Sequence, residues 1–350
     1  MKIIIAGAYA IGTHLARLLS RSKEDITLID DSEERLASIG SDYDLLTMLG
    51  QPTSLKILQN ADIQDADLFI AVTPLESKNI TSCILAKKLG AKRTVAKVDN
   101  PEYMDQQAQN FFRELGIDKL IYPEMLAAVD INNGLKMSWV RQRWDVHDGA
   151  LIMLGIKLRE TCEILNKPLK DISGPNDPYH VVAIKRGSDT IIPGGYDELK
   201  LYDLAYFMTT RNYIPYIRKI VGKEHYVDVK NVMVMGGGRT AVRAVKKMPE
   251  YMETKIIEID EHRCEYLNDI LDDRKTLIIH GDGRDIPLLT EEGIRSTQAF
   301  VALTGNAETN ILACLTAKRL GVRKTVAAVE NVDYVSMAES LDIGTIINKK

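Results

Sequence analysis

Residues 63–103 read IQDADLFIAVTPLESKNITSCILAKKLGAKRTVAKVDNPEY, and residues 294–334 read IRSTQAFVALTGNAETNILACLTAKRLGVRKTVAAVENVDY. A constant offset of 231 aligns the two without a gap, and 17 of the 41 positions are identical, Phe69, Thr73, Asn79, Cys83, Gly90 and Tyr103 among them. Background residue frequencies give about one match in seventeen positions. The chain is therefore a duplication, and the architecture of one half predicts that of the other.

Outward from that stretch, each half alternates two periods. Lys2–Ala6 is an apolar strand, and Gly7–Ser20 carries Ile11, Leu15, Leu18 and Leu19 at helical spacing. Ile26–Ile29 is strand-like, and Ser32–Ile39 is helical with Ser32 as its N-cap. Asp44–Met48, Leu68–Val72 and Thr94–Val98 are further strands, and Asn79–Leu89 is a helix closed by Gly90. Continuous apolar strands separated by helices of ten or so residues specify a parallel sheet covered on both faces. The second half repeats this order from Val232 to Asn348. The expected fold class is α/β, with two doubly wound Rossmann-like domains and a small α+β module between them.

The intervening material has a different texture. Glu124–Val140 reads as a helix, whereas Ala150–Leu158, Tyr179–Lys185, Thr190–Ile192 and Ala205–Thr209 are strand-like and separated by Pro, Gly and Asn clusters. The expected domains are residues 1–123, a connecting helix at 124–140, the small module at 141–216, a charged linker at 217–230 and the second Rossmann-like domain at 231–350. The helix 124–140 carries an apolar set (Met125, Leu126, Val129, Leu135, Met137, Val140) suited to self-association.

Composition excludes several classes. The 350 residues are 45% apolar and 27% charged with 11 Pro and 23 Gly, which is globular rather than disordered or collagenous. The balance of 45 basic against 49 acidic residues leaves −4, with no basic excess to indicate nucleic-acid binding. No apolar stretch approaches the length of a membrane span. The opening Met1-Lys2-Ile3-Ile4-Ile5-Ala6 imitates a leader peptide, but the same pattern recurs at Asn231–Gly236, which predicts a buried first strand and a cytoplasmic protein. The four cysteines (Cys83, Cys162, Cys264, Cys314) form no CxxC pair and read as buried hydrophobes in a reducing compartment.

The first βα turns carry the chemistry. One reads Gly7-Ala8-Tyr9-Ala10-Ile11-Gly12, and the other Gly236-Gly237-Gly238-Arg239-Thr240-Ala241. In a dinucleotide site the first Gly makes the tight turn, the second lets backbone approach the pyrophosphate, and the third position packs helix on strand. The helix N-terminus then presents N–H groups to the phosphates. An acid ends each second strand, Asp30 and Glu258, placed for ribose hydroxyls. Tyr9 stands where the second glycine should be and projects a phenol toward the pyrophosphate position, so the first site is either altered or empty. Arg239 either clamps a phosphate or is a solvated surface residue. Gly50-Gln51 matches Gly281-Asp282, with Gly283 following. An acid there either meets an adenine or ribose edge or simply makes a turn. Thr73 and Thr304 end the fourth strands at the ligand-binding edge of the sheet, and Asn79 and Asn310 follow in a shared or a capping role.

No catalytic constellation accompanies these turns. The six histidines are scattered, and there is no HExxH, GxSxG or Walker A run. The chain reads as a sensor, with a soluble NAD-dependent oxidoreductase as the alternative.

On these residues the chain resembles the TrkA family of Trk-type potassium-uptake regulatory subunits, which are built from KTN (RCK) nucleotide-binding domains, each followed by a small TrkA-C module. The matching stretches are MKIIIAGAYAIGTHLARLL, ITLIDDSEERL, LGQPTSLKIL and residues 66–103, then MVMGGGRTAVRAVKK, KIIEIDEHRCEYL, IIHGDGRDIPLL and ALTGNAETN. The resemblance spans essentially the whole chain. It implies a non-enzymatic subunit, peripheral at the cytoplasmic face of the plasma membrane, that binds NAD or NADH and in some members ATP or ADP. It also implies a Trk/Ktr-type membrane potassium transporter as partner and a homo-oligomeric, commonly tetrameric, ring. The chain departs from the family at Tyr9 and Gln51, and the family pattern continues with a second TrkA-C module after Ile346-Ile347-Asn348-Lys349-Lys350. The residues expected to hold nucleotide are Gly7, Tyr9, Ala10, Ile11, Gly12, Asp30, Gly50 and Thr73 in the first half. In the second they are Gly236, Gly238, Arg239, Thr240, Ala241, Glu258, Asp282, Gly283 and Thr304.

Overall fold

The computed structural model describes residues 1–22, 24–39, 43–174, 177–187, 189–226, 228–271, 275–329, 333–341 and 343–347. The chain falls into two compact units, Met1–Leu126 and Ala127–Asn348.

In the first unit the apolar runs become β1 (Lys2–Ala6), β2 (Asp25–Asp30), β3 (Leu46–Leu49), β4 (Leu68–Ala71), β5 (Thr94–Lys97) and β6 (Lys119–Ile121). Between them lie α1 (Ala10–Leu19), α2 (Glu33–Ala37), α3 (Leu55–Asn60), α4 (Glu76–Lys88) and α5 (Gln106–Glu114). Ser32 caps α2, its side chain accepting from the Arg35 N–H at 3.3 Å. All six strands are parallel in the order β3-β2-β1-β4-β5-β6, the doubly wound Rossmann arrangement. Ile3 to Ala6 are buried because helices cover both faces of β1. The third strand lies two residues further on than its expected start at Asp44. It is the sheet edge, and with Leu46 and Leu49 exposed its apolar pattern is no guide to register.

The chain leaves β6 through α6 (Pro123–Lys136), shorter than the expected helix to Val140. The second unit begins within α6 and contains a five-stranded antiparallel sheet made of β7 (Gln142–Val146), β8 (Leu151–Lys157), β9 (Tyr179–Arg186), β10 (Asp189–Ile191) and β11 (Leu204–Thr209), in the order β10-β9-β11-β8-β7. Helices α7 (Leu169–Ile172) and α8 (Ile214–Ile220) accompany it. Trp139 and Val140 are drawn out of helix because they are buried in this module's core beside Leu154 and Phe207. Strand β7 was not expected from sequence; as an edge strand it buries no full face, so QRWDV shows no alternation. The charged segment expected as a linker from 217 instead opens inside α8, and Ile217, Ile220 and Val221 enter the same core. Their three- and four-residue spacing wins over the intervening Arg218 and Lys219.

The second copy repeats the first as β12 (Asn231–Met235), α9 (Arg239–Lys246), β13 (Glu253–Glu258), α10 (Glu261–Ile270), β14 (Thr276–His280), α11 (Ile286–Glu291), β15 (Ala299–Ala302), α12 (Ala307–Arg319), β16 (Lys324–Ala328), α13 (Asp333–Ser340) and β17 (Thr345–Ile347). The sheet order β14-β13-β12-β15-β16-β17 is that of the first copy. The duplication persists to single hydrogen bonds: the buried thiols of Cys83 and Cys314 face the carbonyls of Val95 and Val326, both at 3.4 Å. All four cysteines are free and buried. Among the described residues no helix is long and apolar enough to cross a membrane.

Within the second unit, α6 packs on α9 through Ala128, Ile131 and Leu135, and Asn132 Nδ2 donates to the Ala244 carbonyl at 3.0 Å. Nearby, Thr345 Oγ1 donates to the Arg141 carbonyl at 3.0 Å and Lys185 pairs with Glu339 at 2.5 Å, so the module is joined to the second sheet by polar contacts. Lys324, 2% exposed, donates to the Val140 carbonyl at 2.8 Å. Burial, with Arg141 beside it, pushes its ammonium down to about 7. An unfolded lysine titrates near about 10.4, so between these values the unfolded chain holds a proton the folded chain has lost, and stability should rise with pH across that window. Urea midpoints for the wild type should therefore increase from about pH 7 to about pH 9.5, and Lys324→Met should flatten the increase. The same slope in the variant would assign the titration to another group.

Candidate functional site

Two crevices open at the carboxyl ends of the central strands, one per copy, where the sheet order reverses. Each rests on the same frame. Gly7 and Gly236 adopt φ of +109° and +95°, which side chains avoid, and their N–H groups donate to the carbonyls of Ile29 and Ile257 at 2.8 and 2.9 Å. The acid at the end of the second strand then ties down the turn. Asp30 accepts from the Ala8 N–H at 2.6 Å and the Ser32 N–H at 2.9 Å. Glu258 accepts from Gly237, Ile259 and Asp260 at 2.6, 2.8 and 3.1 Å. The two acids hold the loop geometry before any ligand is considered.

The opposite wall is fixed by a buried amide. Asn79 Oδ1 accepts from the Thr73 N–H and hydroxyl at 2.9 and 2.7 Å, while Nδ2 donates to the carbonyls of Thr73 and Lys97. Asn310 does the same with Thr304 and Ala328. The pair therefore has a shared role, and it is not helix capping: Asn306 caps α12, and Leu75 at the N-cap of α4 makes no side-chain cap. Both threonine hydroxyls point into this network.

The first crevice, of about 300 Å³, is lined by Gly7, Tyr9, Asp30 and Thr73 among the expected residues. Ala10, Ile11, Gly12 and Gly50 stand outside the lining. Gly12 is the packing residue, since a Cβ there would lie 1.8 Å from the Gly7 carbonyl oxygen. Sequence reasoning missed Ile29, Asp31, Pro52, Pro74, Leu75 and Lys78, which complete the wall. Tyr9 lies with the Arg35 guanidinium 4.3 Å over its ring, and Arg35 in turn pairs with Asp30 at 2.7 Å and Asp31 at 2.6 Å. Asp31 also accepts from Lys78 at 2.8 Å and Gln51 at 3.0 Å. The Lys78 ammonium, first among these partners, holds the Asp31 carboxyl below the usual carboxylate range.

The second crevice, of about 340 Å³, is lined by Gly236, Gly238, Glu258, Asp282, Gly283 and Thr304, with Ile259, Arg284 and Thr309 unforeseen. Gly238 is its bare floor; a Cβ there meets nothing within 4 Å. Asp282 is already clasped by Arg284, two residues on, at 2.6 Å, which lowers its pKa. Arg239, Thr240 and Ala241 stand outside the lining: Arg239 is exposed at the start of α9, and Ala241 is buried against the sheet. The Thr240 hydroxyl is buried in the first turn of α9 without a partner among the described residues. Arg263, the counterpart of Arg35, donates to the Gly237 carbonyl at 2.9 Å instead of crossing to an acid. The signal for Lys78 and Asp31 was present only as a basic residue two positions into a helix and a second acid after a strand. Neither is informative without the crevice.

Comparison with known proteins agrees with this frame. The TrkA-N domain family model matches residues 3–123 and 232–349. The Trk system potassium uptake protein TrkA of Haemophilus influenzae is 31% identical over 352 residues, covering 99% of this chain and 75% of that protein. A TrkA homolog of Archaeoglobus fulgidus is 29% identical, covering 100% and 78%. Among solved structures, the GsuK RCK domain superposes with a TM-score of 0.70 at 15% identity, covering 99% of this chain and 73% of that one. The GsuK channel bound to NAD gives 0.71 at 15%, covering 99% and 61%. With both Rossmann-like copies matched and relatives aligned along its whole length, the chain belongs to the TrkA family of Trk system potassium uptake proteins.

Proposed function

We propose that this chain is a cytoplasmic nucleotide-binding regulatory subunit of a Trk/Ktr-type membrane potassium transporter, and that NAD(H) or an adenine nucleotide in its crevices changes its conformation without being turned over. The observation that carries this reading is the pair of crevices at the sheet switch points, each with a helix N-terminus, a strained glycine turn and a strand-end acid. Membership in a family whose members are named for potassium uptake supports the partner, and the GsuK channel, with which this chain shares its fold, has been solved bound to NAD. The chain works at the inner face of the plasma membrane as a homo-oligomeric ring. Its domains are the Rossmann-like copies 1–123 and 231–350, joined by α6 and the small module, whose core takes in Trp139 and Val140 at one end and Ile217, Ile220 and Val221 at the other.

The second crevice is the primary dinucleotide site. Its bare Gly238 admits a pyrophosphate to the backbone, Arg239 clamps it, and Glu258, Asp282 and Thr304 face the ribose and base. Helix α9 carries the consequence, because its first turn meets the ligand and its last turn is tied to α6 through Asn132 and Ala244. A shift of α9 is passed to α6 and from there to the module.

Isothermal titration with NAD, NADH and ADP tests the site. Charge-assisted hydrogen bonds are worth about 1.5–3 kcal/mol, so Arg239→Ala should weaken binding by about one to two decades. Glu258→Ala should cost less in ligand contacts. Unchanged binding in Arg239→Ala with loss in Asp30→Ala would move the dominant site to the first copy. Steady consumption of NADH by the purified chain would favour the oxidoreductase alternative.

A further inference from the structure

We propose that Lys78 is the phosphate-binding residue of the first crevice, held in waiting by an ionic strap to Asp31, and that this crevice takes a nucleoside phosphate rather than a dinucleotide. The inference rests on the nucleotide-binding reading above and assigns the two crevices different ligands.

Strands β2 and β4 flank β1 on opposite sides. Asp31 follows β2, and Lys78 lies in the first turn of α4, after β4, so their 2.8 Å pair crosses the mouth of the crevice between its two walls. The second crevice has no such strap, for Ile259 and Thr309 stand at the matching positions. The cation is also exchanged between the copies: Arg239 opens α9, while the matching residue of α1 is Ala10 and the basic residue comes from the far wall as Lys78.

Of the three donors on Asp31, Lys78 is the one that can leave. Arg35 at 2.6 Å and Gln51 at 3.0 Å remain on the carboxylate, so no charge is stranded when Lys78 turns to a phosphate. The pair is partly exposed, with side chains 20% and 30% accessible, and such pairs are weak. A phosphate with two negative charges is the stronger partner for an ammonium. Tyr9, held under Arg35, lines this crevice at the position where the second has the bare Gly238, so a phenol stands where a pyrophosphate bridge would approach the turn. A terminal phosphate directed toward α4 avoids that obstruction.

The test uses the full chain with the second crevice blocked by Gly238→Tyr, which copies the residue at position 9. Gly238 has φ −65° and open space around its Cβ, so neither its backbone conformation nor the first side-chain carbon opposes the change. Titrated with ADP, this background should retain binding, and adding Lys78→Thr should weaken it by about 10-fold or more, while adenosine binding stays the same. Adding Asp31→Asn instead should tighten ADP several-fold, because the strap no longer competes; a merely structural pair would not give that sign. ADP affinity unchanged by Lys78→Thr, or weakened in step with adenosine, overturns the assignment. If ADP and NAD bind the wild type but neither ADP nor adenosine binds the Gly238→Tyr chain, the first crevice is empty and this inference alone fails. If none binds the wild type, the nucleotide reading itself fails.

Discussion

Gly12→Ala should destabilise the first unit by about 3 kcal/mol, at the upper end of the range for overpacking, and lower its melting temperature by roughly 10 °C. Two effects of opposite sign meet at this residue. Alanine is favoured over glycine inside a helix by about 1 kcal/mol, and Gly12 lies in α1 without positive φ. Against that, its Cβ would sit 1.8 Å from the Gly7 carbonyl oxygen, a backbone atom with no rotamer to escape into. Helix α1 would have to lift from β1 and carry the glycine turn with it. The second copy is the control: it has Ala241 at this position, fully buried, so the equivalent turn already accommodates a Cβ. Ala241→Gly should therefore cost only about 1 kcal/mol. Thermal melting of both variants, with hydrogen exchange of β1 and β12 to locate the loss, decides the matter. A Gly12→Ala chain that melts like the wild type would show that the turn can relax.

Asn310→Leu should be costlier, at about 3–5 kcal/mol, and should also impair the second crevice. Leucine nearly preserves the volume, so packing is not the issue. Asn310 is fully buried and satisfies four groups: the Thr304 N–H and hydroxyl at 3.0 and 2.7 Å, and the carbonyls of Thr304 and Ala328 at 2.9 and 2.8 Å. Removing the amide strips a partner from each of them where water does not replace it, and the Thr304 hydroxyl, as a donor, keeps only its long bond to the Asn306 carbonyl at 3.4 Å. Asn310→Asp is the informative companion. Its carboxylate can still accept from Thr304 but would press a negative oxygen against two carbonyls unless it carries a proton. The folded-state pKa is then raised above the unfolded value, so the contribution is present at low pH and lost as pH rises through it. Urea midpoints should show Asn310→Asp approaching the wild type on acidification from about pH 7 to about pH 5, and Asn310→Leu showing no such recovery. Parallel behaviour of the two variants would mean the site admits solvent.

The sequence by itself determined the α/β class, the duplication, the glycine turns and the acid at the end of each second strand. All of these are written in local periodicity or in a repeat, and parallel strands buried on both faces leave an unmistakable apolar run. It was less informative where burial is one-sided or the strand lies at an edge, as in β3 and β7, and where charge disguised an amphipathic helix, as in α8. The partners of the site residues were decided by tertiary structure alone. Lys78 meets Asp31 across 47 residues and Asn132 reaches Ala244 across 112, because sheet order and helix packing bring those walls together. Arg35 and Arg263 are matched in sequence, yet one covers Tyr9 and pairs with two acids while the other bonds the Gly237 carbonyl. Spacing fixes where a side chain starts; which charge it ends on depends on what the facing wall offers within hydrogen-bond reach, and that wall exists only in the folded chain.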